Sequence, residues 1–165
     1  MVKKVGLTTG TYRIEISGLV QGVGFRPFIY RLARNHQLSG WVENRNDGVV
    51  IHANATTDTI EIFRKSLIHD APRASDIEKI VVSKVQDENF SAFHIRKSED
   101  VSDQVTEISP DIAVCPDCLE DMQDQAHRID YPFVNCTNCG PRFSIIIKLP
   151  YDRPNTSMDN FIMCP

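Results

Sequence analysis

The sequence predicts an α+β fold, in which two helices cover one face of an antiparallel sheet, followed by a small metal-stapled segment. In residues 1–97, stretches with a two-residue apolar period alternate with stretches of helical period. The charge also changes sign: residues 1–97 hold 14 Lys+Arg and 10 Asp+Glu, a net +4, and residues 98–165 hold 4 and 12, a net −8. Two Cys-x-x-Cys pairs lie in the acidic part. We therefore expect a tail over 1–10, a first unit over 11–97, a linker over 98–110 and a second unit over 111–165.

Composition limits the classes of protein to consider. The apolar fraction of 41% permits a folded core, but no run approaches the roughly 18 consecutive apolar residues of a membrane span. The first ten residues carry basic side chains without the apolar run of a secretory leader. We expect a soluble cytoplasmic protein without a membrane partner. The acidic second unit should repel nucleic acid, so contact with a protein or another domain is the expected use of that unit.

The first strand is predicted over Thr11–Ser17, where Tyr12, Ile14 and Ile16 share one face. A helical pattern begins at Phe25 and continues to about Leu38. The strand-to-helix turn between them contains three glycines, which free the backbone to curl, so that several amides can point at one anion ahead of a helix.

We interpret this turn as a phosphate cradle. Pro27 suits the first helical turn, and Arg26 adds a planar fork that can hold two phosphate oxygens. A plain tight loop is the alternative, and Gln21 either faces the phosphate or is a solvent-facing loop residue. The turn fits neither a Walker loop nor a dinucleotide fingerprint. The predicted phosphate-binding residues are Gln21, Gly22, Val23, Gly24, Phe25 and Arg26.

A hairpin and a second helix follow. Gly40–Asn44 and Val49–Ala53 should pair antiparallel, because an Asp47-Gly48 dipeptide separates them. Asp58 is the predicted helix N-cap, with Glu61 three residues later. Apolar residues then repeat at helical spacing until an Ala-Pro pair ends the pattern; they are Ile60, Phe63 and Leu67.

The last strands of the first unit are less regular. Ile77–Val85 is rich in Ile and Val without clean alternation, which favours a strand with a bulge, and Phe93–Arg96 is a short edge strand. The order of the main elements is strand, helix, strand, strand, helix, strand. This βαββαβ order is the ferredoxin-like plan.

The second unit predicts a structural zinc site. Cys115-Pro-Asp-Cys118 and Cys136-Thr-Asn-Cys139 are 17 residues apart, and two such pairs supply the four thiolates of a tetrahedral Zn²⁺ site. A redox pair and a disulfide framework are the alternatives. His127 lies between the pairs but is not needed as a ligand. Cys164 is interpreted as the opening of a second, incomplete site, or else as a lone reactive thiol.

Two motifs of the first unit resemble the acylphosphatase family. Val20-Gln-Gly-Val-Gly-Phe-Arg26 is similar to its active-site loop, and Gly40-Trp-Val-Glu-Asn44 is similar to the segment after its first helix. The resemblance implies that Arg26 holds the phosphate and that Asn44 orients the attacking water. The alternatives are a surface salt bridge for Arg26 and a turn role for Asn44. Trp41 is expected to pack in the core.

The second unit resembles the zinc-finger region of the hydrogenase maturation carbamoyltransferases, the HypF family. The similar segments are Asn135–Phe143, Pro150–Arg153, Thr156–Met158 and Phe161–Cys164. In that family, carbamoyl phosphate is hydrolysed at an acylphosphatase-like site, and later domains use ATP to pass the carbamoyl group to a partner maturation protein of nickel-iron hydrogenase. The resemblance implies a truncated family member that hydrolyses acyl phosphates and binds zinc. A non-catalytic module that binds phosphate and docks partners is the alternative function.

Overall fold

The computed structural model describes residues 9–97, 113–126, 129, 145–150 and 152–160. The first unit contains β1 (Gly10–Leu19), α1 (Phe25–Asn35), β2 (Ser39–Arg45), β3 (Gly48–Ala55), α2 (Thr57–His69), β4 (Asp76–Lys84) and β5 (Phe93–Ile95). The second unit contributes α3 (Pro116–Asp124) and a 3-10 turn over Arg153–Asn155. Of the helices in these ranges, none has the length and apolar character needed to cross a bilayer.

The five strands form one sheet in the order β4-β1-β3-β2-β5. The pairs β1–β3, β1–β4 and β2–β3 are antiparallel, and β5 runs parallel to β2 at the edge. The first four strands and the two helices have the predicted ferredoxin-like topology, and the predicted edge strand is confirmed as β5. The sheet thus places β1, whose end leads into the glycine-rich turn, in its interior.

The main core lies between the sheet and the two helices. Ile14 pairs with Ile51, and Ile51 pairs with Val42 on the other side, so these three buried side chains share one sheet face. Burial of this apolar surface is the main source of stability. Helix residues that join the cluster include Phe25, Phe28, Ile29, Leu32, Ile60, Phe63 and Leu67.

Trp41 packs on the opposite sheet face. It pairs with His52, one residue from the Val42–Ile51 pair, so its ring lies away from the helices. The indole stacks on the His52 ring with centroids 4.3 Å apart, and the Arg96 guanidinium carbon lies 4.3 Å from the indole centroid. Trp41 is therefore buried as expected, but outside the main core.

The start of α2 and the end of α1 differ from their predicted positions, and the strand ends differ by at most two residues. The N-cap of α2 is Thr56 and not Asp58, because the Thr56 hydroxyl accepts the Thr59 N–H at 3.2 Å. Helix α1 ends at Asn35, before Leu38, since Gln37 takes a left-handed φ of 55° and the chain turns away.

The predicted irregularity of β4 is confirmed. Ser17 lies opposite Lys79 and Gly18 lies opposite Ile77, which leaves Glu78 without a partner in the β1 register. The extra residue is a β-bulge, and a bulge increases the local twist of the strands. It lies at the end of β1 from which the glycine-rich turn departs.

Candidate active site

The turn between β1 and α1 has the backbone of an anion site. Gly22 and Gly24 take φ values of 74° and 72°, a left-handed conformation that glycine adopts without a Cβ clash. Gly24 is the N-cap of α1, so the first amides of the helix follow directly. Within the described part of the chain, no side chain caps this helix end and no acidic residue occupies its first turn. Its amides are thus placed to bind an anion.

Apolar side chains fix this turn to the protein core. Val20, Val23 and Phe25 are almost completely buried, and the Phe25 and Phe28 rings contact each other with centroids 5.7 Å apart. The glycines between them remain partly exposed. The turn therefore presents backbone to the outside while its side chains point inward.

Gln21 ties the turn to the β2–β3 hairpin. Its side-chain nitrogen donates to the carbonyl oxygen of Arg45 and, at 2.9 Å, to that of Gly48. The residue is 1% exposed, so the solvent-facing alternative is wrong. These side-chain N–H groups thus point to carbonyls of the hairpin, and a contact of Gln21 with phosphate stays a prediction.

Asn44 lies on β2 beside this anchor. It pairs with Val49, which pairs with Ile16, so Asn44 projects on the helix-covered face near the end of β1. It belongs to a strand and is buried, which makes the turn interpretation of Asn44 wrong. Because Gln21 binds the carbonyl of the next residue, Arg45, the hairpin holds Asn44 next to the glycine-rich turn.

Arg26 is the second residue of α1, and its side chain is mostly buried at 17% exposure. Its terminal Nη2 lies 2.8 Å from Oδ1 of Asp152, whose side chain is 18% exposed. Asp152 belongs to the second unit. Sequence reasoning did not find this pair, because neither periodicity nor spacing links residues so distant in the chain.

Half of the predicted zinc site lies in the described residues. Cys115 is the N-cap of α3 and Cys118 lies in its first turn, where it is fully buried and packs against Val114 and Met122. This spacing suits two ligands of one tetrahedral metal. Within the described ranges, no group of three or more His, Cys, Asp or Glu side chains is placed to hold a metal. Cys136, Cys139, Cys164 and His127 lie outside the described residues.

Two family models match the chain. The acylphosphatase model matches residues 12–95, and the model described as the HypF finger matches residues 114–146. The first match contains the glycine-rich turn, Arg26 and Asn44. The second contains both Cys-x-x-Cys pairs.

Relatives and solved structures agree with both matches. A probable carbamoyltransferase HypF from Methanocaldococcus jannaschii is 45% identical over 146 residues, which are 87% of this chain and 19% of the relative. An acylphosphatase from Bacillus licheniformis is 38% identical over 85 residues, 51% of this chain and 94% of the relative. The crystal structure of full-length HypF in the phosphate- and nucleotide-bound form superposes with a TM-score of 0.89 at 42% identity, covering 95% of this chain and 21% of that chain. The chain thus spans about a fifth of the carbamoyltransferases that it matches.

Proposed function

The chain belongs to the HypF carbamoyltransferase family, whose acylphosphatase-like domain and finger region it carries, and on that premise we propose that its first unit hydrolyses acyl phosphates, with carbamoyl phosphate as the substrate. The observation that carries this proposal is the glycine-rich turn with Arg26 at its exit and Asn44 on the strand beside it. Backbone amides and a guanidinium supply anion recognition, and a buried amide side chain supplies polarity without charge.

In the proposed reaction the phosphoryl group lies in the turn. Backbone N–H groups of residues 21–25 donate to its oxygens, and the Arg26 guanidinium balances the charge. Because α1 begins at this point, its dipole adds further positive potential. These groups are fixed by packing before substrate arrives, so they stabilise the transition state by positioning and charge.

Asn44 orients the attacking water. The water oxygen attacks phosphorus, the bond from phosphorus to the acyl oxygen breaks, and the carboxylate or carbamate leaves with the bonding electrons. Since that leaving group is a stable anion, no general acid is required. Asn44 does not accept a proton, so the proton of the water passes to the phosphate itself. The rate should therefore show no titration of an enzyme group near neutrality, and such a titration would indicate a side-chain base.

Hydrolysis of carbamoyl phosphate and acetyl phosphate by the purified chain tests this function. Arg26→Ala should lower kcat/KM about a hundredfold or more, as expected for loss of a charged transition-state contact, and Asn44→Ala should mainly lower kcat. Arg31→Ala is the matched control, because Arg31 is an exposed arginine of the same helix. Turnover that is equal in wild type and Arg26→Ala would contradict the proposal. The ratio of the two substrates then tests the preference for carbamoyl phosphate.

A non-catalytic module is the second candidate function, in which the turn binds phosphate without turnover. Absence of hydrolysis by a folded chain that binds inorganic phosphate would favour it. The alternative gains support from the ion pair between Arg26 and Asp152, since that pair joins the phosphate site to another part of the chain.

For the second unit we propose one structural Zn²⁺ held by Cys115, Cys118, Cys136 and Cys139. The finger match over residues 114–146 contains all four cysteines, and the placement of Cys115 and Cys118 at the start of α3 supports the proposal. Bound zinc would cross-link the segment in place of a large core. Metal analysis should give one zinc per chain in the wild type and less in Cys118→Ser. A content of zero with reduced thiols would exclude the site.

The role of the whole protein is a further proposal. Carbamate formed at the first unit would pass to the parts of the carbamoyltransferase relatives that this chain does not span, and from there to a maturation partner of nickel-iron hydrogenase. Restoration of carbamoyl transfer by adding the remaining part of such a relative in trans tests it. Dependence of that transfer on Arg26 would support the proposal.

A further inference from the structure

The contact between Arg26 and Asp152 places a carboxylate at the proposed phosphate site. Asp152 lies outside both family matches, which cover residues 12–95 and 114–146. Both side chains are more than four-fifths buried, and the two charged atoms lie 2.8 Å apart. Nothing in the acylphosphatase match itself accounts for a carboxylate at this position.

The segment that carries Asp152 has a defined structure of its own. Ile146 and Thr156 form an antiparallel bridge, and the Ile147 N–H donates to the Asn155 carbonyl at 2.9 Å. The Asn155 side chain donates to the Pro150 carbonyl at 2.7 Å. These bonds join residues 146–150 to residues 152–156, the segment that contains Asp152. This segment therefore holds the carboxylate against Arg26.

A guanidinium binds carboxylate and phosphate with the same planar N–H groups. The Asp152 carboxylate can consequently bind the same N–H groups of Arg26 that a phosphate would bind. A mostly buried arginine is costly to leave without a counter-ion, because its charge has lost much of its hydration. When no phosphate is bound, Asp152 supplies that counter-ion.

We propose that Asp152 is an exchangeable counter-ion of the phosphate site: its carboxylate occupies Arg26 in the ligand-free chain and is displaced when a phosphoryl group binds. This inference rests on the proposed function of the turn. It predicts competition, since phosphate binds the Arg26 guanidinium only after the Asp152 carboxylate has left it. It also predicts that residues 152–156 respond to occupancy of the site, which couples the second unit to the first.

Exchange has a consequence for turnover. When the phosphate product leaves, the Asp152 carboxylate returns to Arg26, so the guanidinium keeps an anionic neighbour. A neutral residue at position 152 removes this replacement. Phosphate should then bind more tightly, and inhibition by product should increase.

Binding of inorganic phosphate to the full chain, followed by calorimetry, tests the exchange. Asp152→Asn should tighten phosphate binding roughly tenfold, the scale expected when a competing hydrogen bond to a charged group is removed, and should lower KM in the same direction. Asp152→Glu keeps the charge and should stay within about twofold of wild type. A residue that merely supported the fold would instead weaken phosphate binding when replaced.

Asp159→Asn is the matched control, because Asp159 is a nearby exposed carboxylate. The Asp159→Asn chain should bind phosphate with the affinity of wild type. If Asp152→Asn is not recovered folded, Asp152→Ser is measured in its place and must give the same tightening. Unchanged or weaker binding in the neutral variant, with Arg26→Ala still lowering affinity in the wild-type background, overturns the exchange and leaves the phosphate site intact. If Arg26→Ala leaves phosphate affinity unchanged in the wild-type chain and in the position-152 variants, both the exchange and the proposed function are wrong.

Discussion

Replacement of Gln21 gives a direct test of how the glycine-rich turn is held. This buried side chain donates to the carbonyl oxygens of Arg45 and Gly48, and so connects the turn to the β2–β3 hairpin. Gln21→Ala removes both donors and leaves a void. Gln21→Glu has almost the same shape but places a carboxylate oxygen against the same two carbonyls.

The expected loss of stability follows from these contacts. Each neutral hydrogen bond contributes about 1 kcal/mol net, and a buried acceptor left without a donor costs about 1–3 kcal/mol. Gln21→Ala should therefore lower the free energy of unfolding by about 2–4 kcal/mol. Gln21→Glu should lower it further at neutral pH, although it leaves no void, because a buried carboxylate oxygen placed against two carbonyl oxygens is more costly than a missing amide.

Urea denaturation followed by tryptophan fluorescence provides the assay, because Trp41 is the only tryptophan in the sequence and lies on β2. Gln86→Ala is the control, since Gln86 is exposed and its loss should change stability by less than about 0.5 kcal/mol. If Gln21→Ala unfolds with the same free energy as the control, the side chain does not hold the turn. A Gln21→Glu variant as stable as wild type would refute the donor assignment as well.

Three further substitutions test the fold and the site. Phe63→Ala should destabilise the chain by about 3–5 kcal/mol in urea titrations, because Phe63 is fully buried, whereas Ile62→Ala, at an exposed neighbour, should cost little. Thr56→Ala should lower the free energy of unfolding by about 1 kcal/mol in the same assay, because it removes the α2 N-cap. Unchanged stability would mean that Thr56 is not the N-cap. Gly24→Ala should cost about 1–2 kcal/mol and weaken phosphate binding, since an L side chain strains the left-handed N-cap; unchanged affinity would contradict the backbone role.

Local patterns in the sequence predicted most of the first unit. Tyr12, Ile14 and Ile16 show the period of a strand with one buried face, and the structure pairs them within the sheet interior. The irregular Ile and Val pattern of β4 matched a bulge, because the extra residue interrupts alternation. These features depend on neighbours in the chain, which the sequence displays directly.

Features that depend on backbone conformation or on distant neighbours were not predicted. Asp58 and Thr56 are both good N-caps by residue type, and only the backbone conformation at residue 56 selects the threonine. Gln21 looked like a loop residue because its two acceptors lie beyond the next helix. Asp152 meets Arg26 across more than a hundred residues, and a single aspartate in an acidic segment carries no signal of that contact.

The position of β1 inside the sheet also governs the order in which the chain can fold. The first strand of the chain pairs on one side with β3 and on the other with β4, where Tyr12 meets Lys84. During synthesis β1 therefore leaves the ribosome long before its second neighbour exists. Because such pairings close long loops, the transition state should form slowly, and completion of the sheet waits for the last third of the first unit to emerge. Until then β1 has one edge without hydrogen-bond partners, and this interval is when a growing chain most needs protection from association.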